Sequence, residues 1–282
     1  MQKLFNKILV PVRNPEKRGA VIESACAIAN KYTCSIHLFH TSTSGSFTDV
    51  SIAGGLRGVV PHFTSKRWRA KNGLAQICDY LLGATDDGVT VSYSMRTGDW
   101  EENLVELIKK ERYDLVLMGQ RPRFSWTGDL RVNASQITRR TNVPVITVPA
   151  GNQLSGLCSI VIPVTDFLPV RKLVYGIYIA TNFDASIKLL GIGSAKNAVT
   201  VQHYLQKAFK LVQDHCPVKV SMEKARHSLI PAALRDFIKR QPVDLLIVNP
   251  GYQIETTTHF SYWPIHFLSR QNGPPVLTIN HV

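Results

Sequence analysis

The chain has 282 residues, 44% of them hydrophobic and 19% charged, the profile of a folded protein with a sizeable core and room for two ordinary domains. No apolar run approaches the ~18–20 residues of a membrane-spanning helix. The opening MQKLFNKILVPV reads into a strand without the small-residue cleavage site of a signal peptide, so a cytosolic location is expected. The net charge of +13 is shared, +7 before Gly151 and +6 after it. That excludes a basic tail, and without an RNP, KH or zinc-finger pattern it does not favour nucleic acid over acidic lipid or anionic metabolites.

The first predicted strand, Ile8–Val12, is a short, nearly all-apolar run, as expected of a strand covered on both faces. A helix follows, with Val21, Ala25, Ile28 and Tyr32 on one stripe, and Ser35–His40 forms the second strand. Thr41–Phe63 is a long Gly/Ser-rich insertion, read as a flap or partner surface because loops of that length are uncommon unless functional or disordered. The second helix, about 64–82, groups Trp68, Ala75, Cys78 and Leu82. Val89, Val91, Tyr93 and Met95 alternate with polar residues, which predicts an edge strand with one wet face. Asp99 caps the third helix, since its carboxylate can accept from first-turn N–H groups, and Glu102 three residues on completes a capping-box-like pair. Leu104, Leu107 and Ile108 give that helix its core stripe. Leu115–Met118 is strand four, Ala134–Thr141 a last helix, and Val145–Val148 strand five.

The pattern then repeats. KILVPV (Lys7–Val12) returns as SIVIPV (Ser159–Val164), and VTVSYS (Val89–Ser94) as VKVSME (Val218–Glu223). LVELIKKERYDLVLMG (Leu104–Gly119) returns as LRDFIKRQPVDLLIVN (Leu234–Asn249), and VPVITV (Val143–Val148) as PPVLTI (Pro274–Ile279). Four matches in one order define a tandem duplication, with units over 1–150 and 158–282 and PAGNQLSG between them as a linker. Strands alternating with helices predict a parallel sheet with right-handed crossovers in each unit. Cys26, Cys34, Cys78, Cys158 and Cys216 are odd in number and never form a CxxC pair, which fits reduced, packed thiols better than a disulfide frame or a zinc site.

KILVPV, TGDWEENLVELI, DLVLMG and SQITRRTNVPVITV, an ordered set seen twice, resemble the universal stress protein family over nearly the whole chain. The resemblance implies an α/β fold of two tandem doubly wound five-stranded parallel sheets, strand order 3-2-1-4-5, like that of the adenine nucleotide alpha hydrolases. It also implies pairing of the units through their last strands as a pseudo-dimer, cytosolic roles in stress survival, and ATP binding in some members but not others.

In that strand order the connections diverge on either side of strand one and leave a crevice between the C-terminal ends of strands one and four. The expected lining is Pro11, Val12 and Arg13 after strand one, His40 at the end of strand two, and Met118, Gly119, Arg121, Arg123, Arg131, Val132 and Asn133 after strand four. His37 is the weaker of two histidine candidates, because it lies inside its strand.

Nucleotide-binding members resemble G-x2-G-x9-G-S/T after strand four with an aspartate after strand one, the glycines letting backbone N–H groups approach phosphates. Here the first glycine is Gly119, but Pro122 holds the second position, Arg131 and Val132 the closing pair, and Arg13 the aspartate position. In the second unit Asn249, Tyr252, Tyr262 and Trp263 replace the glycines and closing pair, and Thr165 followed by Asp166 stands at the aspartate position. That unit is expected not to bind nucleotide in the usual way.

Two readings of Arg13, Arg121, Arg123 and Arg131 stay open. Guanidinium forks can hold phosphate or carboxylate without a glycine nest, or the four form a solvated basic rim on a dead pocket. GIGSAK (Gly191–Lys196) lacks phosphate-loop spacing and follows the wrong strand. His259 and His266 with Glu255 do not make a specific metal signal, and no nucleophile elbow is present. The expectation is a non-catalytic binding or regulatory module with an altered anion or nucleotide pocket in the first unit, ATP or another adenine nucleotide being the cofactor to test. A weak nucleotide hydrolase and a protein-interaction scaffold are the alternatives, and further self-association of the chain stays open.

Overall fold

The computed structural model describes residues 3–42, 62–119, 134–225, 227–250 and 273–281. The first half runs β1 (Lys7–Pro11), α1 (Ala20–Tyr32), β2 (Ser35–Ser42), α2 (His62–Ala84), β3 (Val91–Thr97), α3 (Trp100–Glu111), β4 (Leu115–Gly119), α4 (Ala134–Thr141) and β5 (Val145–Val148). The second runs β6 (Ser159–Val164), α5 (Val170–Phe183), β7 (Ser186–Gly191), α6 (Ala198–His215), β8 (Val220–Lys224), α7 (Ile230–Arg240), β9 (Leu245–Val248) and β10 (Val276–Thr278).

Neighbouring strands within each half are parallel, in the orders β3-β2-β1-β4-β5 and β10-β9-β6-β7-β8. The two expected sheets are one. β10 pairs antiparallel with β5, Val276 opposite Thr147 and Thr278 opposite Val145, giving ten continuous strands. Each five-stranded layer alone would end in an edge with unpaired N–H and C=O groups, and the join gives those two edges to each other.

Alternation along the strands sorts the core. In β4, Leu115 and Leu117 face one side and Val116 and Met118 the other, as a period of two requires. The side carrying Leu115 holds α1, α2, α5 and α6 over a single core that crosses the join. On the opposite side the core splits in two, one part under α3 and α4 and the other under α7. At the start of each half an aspartate clips the first strand. Asp114 Oδ2 accepts from the N–H groups of Asn6 and Lys7 at 2.9 and 3.1 Å. Asp244 Oδ2 accepts from Cys158 and Ser159, both at 2.9 Å.

Three expectations need correction. Trp68 and Leu82, placed on the core stripe of the second helix, are 65% and 52% exposed. The buried set is Ala70, Leu74, Ile77, Cys78 and Leu81, a stripe rotated away from Trp68 because packing on the sheet, not side-chain size, sets the helix's rotation. PAGNQLSG is not a free linker. Leu154 and Leu157 are buried, and the Leu154 N–H donates to Ser24 Oγ at 3.2 Å. Among the cysteines Cys158 is exposed, at the open end of its strand, whereas burial pushes the Cys34 thiol up to about 12, leaving it inert. Of the insertion Thr41–Phe63, Thr41 and Ser42 belong to β2 and His62 and Phe63 to α2. The rest lies outside the described residues.

Gly73, midway along α2, lets that helix touch the loop after β1. A Cβ there would lie 2.6 Å from the Pro15 carbonyl oxygen and 2.8 Å from its carbon. Backbone cannot swing aside as a side chain can, so Gly73→Ala should lose about 1–3 kcal/mol even though alanine is the better helix former. A urea midpoint unchanged or raised in the variant would contradict that close approach.

Candidate functional site

The crevice forms where α1 leaves β1 toward one face of the sheet and α3 enters β4 from the other. β1 and β4 lie side by side, with Ile8 opposite Leu115 and Leu9 opposite Val116. Pro11 ends β1, with Val12 and Arg13 following it, Met118 and Gly119 end β4, and His40 lies on the neighbouring β2, two residues before its last residue, Ser42. Arg121, Arg123, Arg131, Val132 and Asn133 lie outside the described residues, as do Tyr252, Glu255, His259, Tyr262, Trp263 and His266.

The described residues do different things. The Val12 N–H donates to the Phe39 carbonyl at 2.7 Å, and the Val12 side chain is in the core. His40, 9% exposed, places Nδ1 2.7 Å from the Val12 carbonyl. A carbonyl only accepts, so Nδ1 carries a proton and donates it to Val12. The histidine thus ties the β1 and β2 ends together, making the rim stiff. Met118 is buried in the core beneath α3 and α4, so only its backbone can serve the crevice. Gly119 is exposed, and a Cβ there would stand 3.6 Å from Val21 Cγ1 on α1, which is ordinary contact distance. His37 is held by Ser92 and Ser94 at 2.8 and 2.7 Å. Burial lowers its pKa, so it is a satisfied neutral strand residue.

Arg13 is exposed, with its guanidinium carbon 4.4 Å from the centroid of the Trp100 ring, a cation–π distance. Trp100 opens α3, where the Asp99 carboxylate accepts from the Glu102 N–H at 2.8 Å as the sequence predicts. Gly98, at φ +114°, makes the preceding turn. The Trp100 indole Nε1 is buried and has no acceptor among the described residues. The position of the family's aspartate therefore presents a positive charge steered by an aromatic face. Trp100 was missed from sequence, and its signal was a large aromatic at the first position of a capped helix. The α4 arginines are committed elsewhere. Arg140 holds Glu101 and Glu102 at 2.9–3.0 Å, and Arg139 donates to the Pro250 carbonyl at 3.0 Å.

GIGSAK packs rather than cradles. Asn197 Oδ1 accepts from the Ser194 N–H at 2.7 Å, and a Cβ on Gly193 would meet Val201 at 2.6 Å. The second half repeats the crevice between β6 and β9. There Lys172 on α5 is 1% exposed and donates from Nζ to the Pro163 carbonyl at 2.6 Å. It too was missed, and as the residue just before the apolar run LVYGIYIA, next to Arg171, it reads as an ordinary polar residue of the first helical turn.

A tandem, doubly wound α/β chain with crevices at its two switch points is the class this geometry defines. The universal stress protein family model matches residues 4–149, and the chain belongs to that family. The whole chain is similar in fold to a universal stress protein from Archaeoglobus fulgidus DSM 4304, at 12% identity and TM-score 0.73 over 98% of both chains. It is similar also to a putative universal stress protein from Pseudomonas aeruginosa UCBPP-PA14, at 14% identity and TM-score 0.62, covering 98% of this chain and 93% of that one. The cytoplasmic domain of a prokaryotic cation chloride cotransporter shares the fold at 14% identity and TM-score 0.55, covering 98% of this chain and 96% of that one. No curated protein sequence matched significantly. Among the described residues no helix is long and apolar enough to cross a membrane.

Proposed function

We propose that this chain is a non-catalytic, cytoplasmic binding module of the stress response, built of two family units over 1–150 and 158–282, in which the first crevice takes an anionic ligand, with adenine nucleotides the first class to test. The observation that carries this reading is Arg13, exposed at the lip of the crevice above Trp100. Recognition has moved from backbone N–H groups to side chains, since Pro122 removes one N–H and Arg131 replaces a glycine. Guanidinium groups supply planar paired donors to phosphate or carboxylate. With no carboxylate at the Arg13 position to hold a metal, the arrangement favours holding a ligand over hydrolysing it.

A ligand that binds only the folded state raises the melting temperature by mass action. ATP or another adenine nucleotide at about 100 times its dissociation constant should stabilise the chain by about 2.7 kcal/mol. Arg131→Ala should abolish that shift. An unchanged shift in the variant would return the four arginines to a solvated rim, and phosphate release above a protein-free blank would replace binding by hydrolysis.

A further inference from the structure

Where the two halves meet, the C-terminal turns of α1 and α5 share a cleft of about 320 Å³. Lys3, Lys31 and Tyr32 line it from the first half, and Tyr178, Thr181 and Asn182 from the second. It is distinct from both crevices, which open at the N-terminal ends of these helices. The 13 residues of α1 put roughly 20 Å between its two ends. The volume falls at the small end of ligand cavities, ~300–1,000 Å³.

The charges lining the cleft are of one sign. Lys31 is exposed, and its Nζ stands 5.5 Å from the centre of the Phe183 ring with no ion pair among the described residues. Lys3 Nζ donates to the Thr33 carbonyl at 3.0 Å, which leaves an ammonium two further protons. No carboxylate is in the lining; Asp184 caps α5 outside it. Each helix C-terminus contributes about half a negative charge, and the caps already place N–H groups on the Ala29 and Ala180 carbonyls. Two full positive charges outweigh two halves.

Tyr32 supplies an independent observation. It is 6% exposed, and its hydroxyl is buried without a hydrogen-bond partner among the described residues. Burial raises its pKa, with Tyr178 and Cys34 adding to the effect, so the group stays an O–H donor. Buried donors are normally paired. The other cavity that Tyr32 borders is walled by apolar side chains, which leaves the cleft as the side from which an acceptor can come.

We propose that this cleft binds a small organic carboxylate, its oxygens taken by Lys3, Lys31 and the Tyr32 hydroxyl and its body seated between the two helix ends. The match is one of donors to acceptors. Two ammonium groups and a protonated phenol offer N–H and O–H groups, and a carboxylate only accepts. An inorganic anion brings the charge but no body to cover the Tyr178, Thr181 and Asn182 wall. Asn182 Nδ2 is spent on the Tyr178 carbonyl at 2.7 Å, so that wall offers the Thr181 hydroxyl and Asn182 Oδ1 to polar groups of the body. Because its lining comes from both halves, the site is complete only when they are docked.

NMR titration of the full chain with benzoate, benzamide and inorganic phosphate, followed at the Thr33, Thr181 and Asn182 amides, tests the assignment. Benzoate should shift these amides to saturation. Benzamide, with the ring but no charge, and phosphate, with charge but no ring, should bind about tenfold or more weakly. Replacing both lysines, Lys3→Met with Lys31→Met, should weaken benzoate binding by about tenfold or more. Tyr32→Phe keeps the ring stacked on Tyr178 and should weaken benzoate several-fold. Its urea midpoint should be unchanged or raised, since it removes an unpaired buried hydroxyl. Arg13→Ala, in the first crevice, should bind benzoate as the native chain does. Benzoate affinity unchanged in the double lysine variant or in Tyr32→Phe would overturn the site. So would binding lost in Arg13→Ala, benzamide or phosphate bound as tightly as benzoate, or no saturable benzoate binding.

Discussion

Replacing Phe5 by alanine should remove about 3–5 kcal/mol of stability, lowering the urea midpoint while leaving the slope of the transition unchanged. Phe5 is 1% exposed on the segment leading into β1, yet its partners lie mostly in the other half of the chain. Its ring meets Tyr178 edge-on at 5.4 Å and Tyr175 at 6.0 Å, both on α5, and Tyr32 on α1 edge-on at 5.1 Å. Tyr32 and Tyr178 stack at 5.0 Å. The return contact comes from Leu154 and Leu157, which enclose a small apolar cavity with Ile28 and Tyr32 of the first half and Phe183 of the second. Each half's lead-in segment is thus packed against a helix of the other. Removing the Phe5 ring loses its transfer energy and leaves a cavity between halves that cannot collapse without moving the sheet join. A loss below about 1 kcal/mol, or two separate transitions in the native chain, would show the halves to be independent beads.

The second large effect is electrostatic. Lys172 is held at about 7 by burial, far below its ordinary 10.5, so the folded state binds fewer protons than the unfolded state between those two pH values. Stability must then rise as pH climbs from about 7 toward 10, and the full penalty of charging the buried amine is present below about 7. Lys172→Met keeps the volume and removes the charge. It should stabilise the protein by about 3–5 kcal/mol near pH 6, with the advantage shrinking as pH rises toward 10. Taking the difference between the two proteins at each pH cancels the other groups that titrate in that window, including the cysteines and tyrosines. A difference that stays constant from pH 6 to 10 would mean that Lys172 is not buried as the structure places it.

Much of the fold could be read from the order of residues because the local signals agree with one another. Ala134–Thr141 and Val145–Val148 fall where the pattern puts them, and Asp99 caps its helix through the bond its spacing predicts. The duplicated VDL and YDL hid a further device. Asp114 and Asp244, given no role from sequence, act as acceptors for backbone 85–108 residues away. Long-range partners leave no local pattern, and the same is true of Phe5 with Tyr178 and of Leu154 with Ser24. The α2 stripe was misread because Trp68, though large and aromatic, lies on the face turned to water. Beside the crevice, Gly119 ends β4 and Arg13 follows β1, whereas His40, expected to end its strand, lies two residues inside β2, because pairing with β3 carries β2 on to Ser42. Sequence spacing could not show that Arg13 rests on Trp100 or that His40 is spent on the Val12 carbonyl, since both depend on how α3 and β2 meet β1.

Equilibrium titration of the native chain with ATP, followed by Arg13→Ala and Arg131→Ala, tests most directly whether the first crevice recognises its ligand through arginine side chains. Saturable binding that Arg131→Ala abolishes and Arg13→Ala weakens by about tenfold or more is the expected result. Saturable binding at unchanged affinity in both variants, or no binding of any adenine nucleotide by the native chain, would contradict it.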